Sequence, residues 1–445
     1  MAFDIIIGRT EEDRKKFADK GTIFLGKSYV KMGQTTSLSN PVHLDVTKAH
    51  VVFLIGKRGG GKSYSAGVVA EGIVDLPEDI AKNIAVIMLD TMGVYWTMKY
   101  PNEKDADLLE KWGLQPKGLE KIRIFTPIGK FEETKAIGIP TDFPFSIKAS
   151  ELTGEDWRLA FELDISHPVT ILIEKILGDL AERKINSYDI ETIIEMIRKD
   201  QSFTNETKNE AINRFKTATK WGLFSNEGTA VDVLVKGGAV SILDLSAYAT
   251  AEGGWGVKSL VIGLIAKKIF IERMVSRQLE EIEAIKVGYS YFKIQEESES
   301  KEKKPLVWFL LDEAHEYLPA EGKTAATDAL VAILREGRQP GISLLLITQQ
   351  PGKIHSDVLT QSDIVIAHRI TARRDVDALN SMMQSYLGDT LTGYLNILPS
   401  EPGAAIILDD NSERLYPIRV RPKFSWHGGE APTAIKYKRS MNLGI

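Results

Sequence analysis

Apolar residues fall into two rhythms along this chain. In the first, short continuous runs recur at residues 50–56 (HVVFLIG), 83–90 (NIAVIMLD), 121–127 (KIRIFTP), 239–245 (AVSILDL), 306–313 (LVWFLLDE), 342–350 (ISLLLITQQ) and 363–369 (DIVIAHR). Runs of this length suit strands buried on both faces of a parallel sheet. Helical patterns lie between them, which predicts a doubly wound α/β core. In the second rhythm, over 149–229, apolar positions recur at helical spacing and no good strand appears. Leu172, Ile173, Ile176, Leu177 and Leu180 form one stripe. Ile190, Ile193, Ile194 and Ile197 form a second, and Ala211, Ile212, Phe215 and Ala218 a third. The pattern therefore divides the chain into a short β-rich subdomain (1–48), a first core part (49–148), a helical insertion (149–230), a second core part (231–424) and a C-terminal arm (425–445). A charged loop at 294–304 (IQEESESKEKK) precedes a buried strand and reads as a surface connection.

Composition narrows the function classes. The 445 residues are 43% hydrophobic and 26% charged, as in ordinary globular chains. Net charge is −5, so no global positive field draws the chain to nucleic acid; local basic loops would have to do so. The absence of cysteine excludes disulfides, thiolate metal sites and cysteine nucleophiles. The longest apolar stretches fall far short of the roughly 18–20 residues that span a bilayer. The charged flank after a brief apolar run at the N-terminus does not fit a signal peptide. These features predict a cytoplasmic protein without a membrane partner.

Chemistry concentrates in three places. Gly56-Lys57-Arg58-Gly59-Gly60-Gly61-Lys62-Ser63 follows a strand-like run, opens a helix and matches G-x-x-x-x-G-K-[ST]. Glycines let backbone N–H groups turn towards phosphate oxygens, and the helix start adds its positive end. The expected ATP cradle is Gly56, Gly59, Gly60, Gly61, Lys62, Ser63 and Tyr64. Lys62 would reach the β- and γ-phosphates, and Ser63 would bind Mg²⁺. In the second place, Asp312-Glu313 ends a buried strand, where acids are costly without a partner. Asp312 would hold Mg²⁺ through water, and Glu313 would polarise the attacking water. In the third place, Gln349 and Gln350 end the run at 342–350, where a neutral amide can touch a γ-phosphate or its water; Gln349 is the better placed. Arg335 and Arg338, in LREGRQPG, are each a possible transition-state cation or a solvated helix end.

Taken in order, these segments resemble the HerA/FtsK superfamily, and within it the archaeal HerA-type DNA translocases. The resemblance runs from NPVHLDVTKAHVVFLIGKRGGGKS through VIMLDTMGVY, FLLDEAHEYLP and LREGRQPGISLLLITQQPGKIHSDVLTQSDIVIAHR to VRPKFSWHGG, over most of 40–428. It implies a RecA-like P-loop ATPase that forms a hexameric ring and moves or unwinds double-stranded DNA, in end processing and repair with a nuclease. It favours Arg338 as a finger acting on a neighbouring subunit and Gln349 as the sensor. Lys57 and Arg58 replace the family's usual small loop residues, and the β subdomain is smaller than the usual barrel. A related ring motor for conjugation or secretion, or a nucleotide-gated subunit of a defence complex, is the alternative. For DNA contact, the sequence offers 130–148, 250–258 and a basic tail (Arg419, Arg421, Lys423, Lys436, Lys438, Arg439).

Overall fold

In the computed structural model, residues 4–32, 35–251, 253–290, 303–370, 372–382, 398–399 and 401–429 are described. Most of the charged loop at 294–304, and Lys436, Lys438 and Arg439 of the tail, lie outside the described residues. Among the described residues, thirteen strands form one sheet. In chain order they are β1 (Ile5–Ile7), β2 (Thr22–Met32), β3 (Thr35–Asp45), β4 (Val51–Ile55), β5 (Ile84–Asp90), β6 (Ile122–Pro127), β7 (Phe143–Phe145), β8 (Val240–Asp244), β9 (Leu306–Leu311), β10 (Ile342–Thr348), β11 (Ile364–His368), β12 (Ala404–Asp409) and β13 (Arg414–Val420). Their spatial order is β1-β3-β2-β13-β12-β11-β4-β10-β9-β5-β8-β6-β7. From β11 to β7 every pairing is parallel, so their C-terminal ends share one edge.

Each of the seven apolar runs contains one of the parallel strands, and the reason is visible in β4. Phe53 and Ile55 join the core on one face of the sheet, and Val52 and Leu54 the core on the other. A strand covered on both sides has no solvent face to make polar. The Lys62–Val74 helix packs on the second face through Ala66, Val69, Ala70 and Ile73. The first face carries the Gly254–Ser290 helix, together with helices Gly154–Ala160, Pro168–Glu182, Ile190–Lys199 and Asn205–Thr219. Trp157, Phe161 and Phe215 lock these helices together, with ring centroids 4.9–5.4 Å apart.

The N-terminal strands belong to the same sheet. β2 pairs antiparallel with β13, placing Ser28 opposite Ile418 and Gly26 opposite Val420. A Cβ at Gly26 would lie 2.1 Å from the Arg419 carbonyl oxygen, so this junction needs glycine. No helix among the described residues is long and apolar enough to cross a membrane.

Candidate nucleotide site

The phosphate loop sits at the shared C-terminal edge, between β4 and the Lys62–Val74 helix. Gly61 starts that helix at φ 97°, with no side chain to cap it. The first-turn N–H groups are thereby left to an anion. Gly59 also has positive φ, and the Gly60 amide donates to Lys57 O at 2.9 Å. The loop rests on the end of β11: Lys57 N donates to Arg369 O, and a Cβ on Gly56 would come within 2.7 Å of His368 Cβ.

His368 is fully buried. Its Nδ1 donates to the Ala404 carbonyl, which leaves Nε2 to accept from the Ser65 hydroxyl at 2.9 Å. Burial holds its pKa down at about 4. A histidine of folded pKa about 4 and ordinary pKa near 6.5 supports folding in full above pH 6.5. That support is lost as pH falls from 6.5 towards 4, and the loss amounts to about 3 kcal/mol. Urea unfolding at pH 7 and pH 5 is expected to show a steeper pH dependence for the natural protein than for His368→Gln.

The acids arrive on β9, two strands away. Asp312 Oδ2 accepts from the Ser63 hydroxyl at 3.0 Å and from the Tyr95 hydroxyl at 3.3 Å. Asp312 Oδ1 accepts from Glu313 N. Glu313 occupies the left-handed region (φ 50°, ψ 44°), a strained conformation for a side chain of this size. Its Oε1 accepts from the Gln349 amide at 3.2 Å, while Oε2 is buried with no hydrogen-bond partner among the described residues. Burial, reinforced by Asp312, pushes the Glu313 carboxyl up to about 7. Lys62 Nζ donates to Lys57 O at 3.2 Å, and burial lowers its pKa against the pull of Glu313 and Asp312. Ser63 and Asp312 present two hard oxygens side by side. This donor set fits Mg²⁺, which takes few protein ligands where phosphates supply the rest. Among the described residues no cluster of three acidic or histidine side chains offers a fuller cage.

With that geometry in view, comparison with known proteins is direct. The profile of a family described as "Helicase HerA, central domain" matches residues 30–270, more than half of the chain. The chain belongs to the HerA family. It is 28% identical over 333 residues to the DNA double-strand break repair helicase HerA of Pyrococcus furiosus, a match covering 72% of this chain and 56% of that protein. It is 23% identical over 387 residues to the probable DNA double-strand break repair helicase HerA of Methanocaldococcus jannaschii, covering 79% and 69%. The aligned part thus spans little more than half of the Pyrococcus relative. Among solved structures, VirB4 of Thermoanaerobacter pseudethanolicus shares the fold, with a TM-score of 0.53 at 13% identity over 91% of this chain and 97% of that one. The protein is a HerA-type P-loop ATPase of mixed α/β fold with a large, mostly parallel sheet.

The remaining candidates of this HerA-type chain are spread more widely. The Tyr64 side chain turns away from the loop: its hydroxyl accepts from Lys423 N at 2.6 Å, and its ring meets His427 edge-on. Only its backbone can serve a phosphate. Arg335 pairs with Asp357. Arg338 is exposed and lies four residues before β10. Gln349 directly follows that seven-residue strand. At about 3.3 Å per residue, roughly 20 Å of strand separates Arg338 from the phosphate-loop edge. Lys57 and Arg58 line an open pocket of about 360 Å³ with Gln349, Gln350, Ile370, Ala372 and Asp375.

Two expectations for DNA contact need correction. Arg421 and Lys423 are buried, because both are drawn beneath the Lys62–Val74 helix around Glu71. Lys258 is buried too, inside the Gly254–Ser290 helix. The sequence reading also passed over Tyr95, His315, His368 and Glu71. A histidine closing a buried strand was the visible signal for His368; for Glu71 there was none.

Proposed function

We propose that this HerA-type protein hydrolyses ATP and uses it, as a homo-oligomeric ring of six, to translocate along or unwind double-stranded DNA. The observation carrying the reading is the pairing of Ser63 with Asp312 and of Gln349 with Glu313 beside the phosphate loop. Gly56, Gly59, Gly60, Gly61 and the backbone of Tyr64 would wrap the phosphates, with Lys62 neutralising the transferring group. Ser63 directly and Asp312 through water would hold Mg²⁺, which when bound offsets phosphate charge. Glu313 would take the proton of the attacking water while Gln349 fixes the carboxylate that receives it. The role of the relatives in DNA double-strand break repair supports a place in DNA end processing; work with a nuclease partner in the cytoplasm belongs to the same proposal.

Arg338 lies too far from its own phosphate loop to act there, which supports action across a subunit boundary. Arg338→Ala is expected to lower turnover about 10³-fold while nucleotide binding persists. Mixing this variant with Lys62→Ala subunits should restore part of the turnover. Boundaries would then form that combine an intact Lys62 with an intact Arg338. No recovery on mixing would rule out action in trans. The DNA reading is tested by adding duplex DNA to the natural protein and following phosphate release over a range of salt. Unchanged turnover would overturn DNA as the substrate.

A further inference from the structure

His315 follows Glu313 by two residues and sits between the ends of β9 and β10. Its Nε2 lies 3.0 Å from the Gln350 amide nitrogen, which donates to it. The ring proton then belongs on Nδ1. That proton faces two acceptors: Thr348 Oγ1 at 3.0 Å and Glu313 Oε2 at 3.5 Å. Oε2 is the buried oxygen that has no hydrogen bond among the described residues. A buried acceptor left unpaired is costly, and a shift of about half an ångström would bring Nδ1 within bonding range of it. The imidazole has little freedom to do otherwise. The segments after β9 and β10 are tied by His355 N to Leu318 O at 2.8 Å and by Ala320 N to Lys353 O at 2.9 Å.

We propose that His315 is a positioning residue for Glu313, donating from Nδ1 to Oε2 and so aiming the carboxylate whose other oxygen is held by Gln349. The ring thereby links the acid at the end of β9, which Gln349 holds directly, to Gln350 after β10. The proposal rests on the role assigned to Glu313 in hydrolysis.

The test uses two amides that imitate different ring nitrogens. The Asn amide nitrogen can stand where Nδ1 stands, and the longer Gln amide reaches towards the Nε2 position. In the full chain, His315→Ala and His315→Gln are expected to lower kcat on the order of ten- to a hundred-fold, as misplacement of a reacting group does. The Kd for ATP and the Tm should stay close to those of the natural protein. His315→Asn should recover most of the lost rate. The proposal is overturned if the Gln variant matches or exceeds the Asn variant, if Ala turns over at the natural rate, or if the rate loss tracks a loss of Tm or ATP affinity. Should the Ala variant fail to fold, the Asn–Gln comparison decides alone. Glu313→Gln, measured alongside, separates the two levels. Full turnover in that variant removes the role of Glu313 itself. An inactive Glu313→Gln with indistinguishable His315 variants removes only the present proposal.

Discussion

Lys62→Ala is expected to lower ATP turnover by about 10²–10³-fold or more, the scale seen when one fixed donor to a developing charge is removed. The reasoning starts from what surrounds the ammonium. Asp312 and Glu313 both contribute negative potential at Lys62, and burial disfavours its charge. Without Lys62, the γ-phosphate would meet two acids with no fixed cation between them. The fold should not suffer, because burying that ammonium works against folding and its hydrogen bond runs to a carbonyl of its own loop. Phosphate release should therefore collapse at unchanged Tm; a parallel fall in Tm would show the loss to be structural. Glu313→Gln should differ in kind. It keeps the loop and Lys62, so ATP should bind and remain uncleaved, visible as retained nucleotide after gel filtration.

Glu71→Ala is expected to destabilise the protein by about 3–5 kcal/mol, the cost of breaking a buried ion pair by removing one partner. Glu71 is fully buried in the Lys62–Val74 helix. Its carboxylate accepts from Arg421 Nη1 at 2.5 Å, from the amides of Phe424 and Ser425 at 3.2 Å each, and from the Ser425 hydroxyl at 2.6 Å. Removing it leaves the Arg421 guanidinium and the fully buried Lys423 without their counter-charge. Lys423 already sits at a pKa of about 8, lowered chiefly by burial and further by Arg421, and Glu71 is what opposes the fall. Thermal unfolding should show a drop of roughly 3–5 °C, because the unfolding entropy of a cooperative unit of 445 residues is about 1 kcal/mol per kelvin. Glu71→Gln, which keeps an acceptor and loses the charge, should fall between. A drop of a degree or less for Glu71→Ala would show that the pair contributes little.

The contrast between these residues explains what could be read from the chain. The phosphate loop and Asp312-Glu313 are legible because each is a local string: the loop needs glycines in series, and the acids directly follow an apolar strand. The parallel strands are legible because burial on both faces removes polar positions from consecutive residues. Glu71 and Arg421 are 350 residues apart, and each alone looks like a surface charge. A tally of basic residues near the C-terminus therefore suggested a nucleic-acid patch where the structure has an interior clamp. β7 was missed because it is only three residues long, with Phe143 and Pro144 exposed. His315 was missed because its meaning depends on the register of β10 against β9, which one sequence does not display.

The junction at Gly26 has a consequence for how the molecule comes apart. Because β2 is hydrogen-bonded to β13, and the ladder runs on through β12 and β11 to β4, no seam of solvent-facing edges separates the first strands from the nucleotide site. Denaturation should be a single cooperative event, with the first strands protected from amide exchange as long as the phosphate-loop strand is. A side chain at position 26 would act as a wedge driven into that ladder, turning one unfolding unit into two.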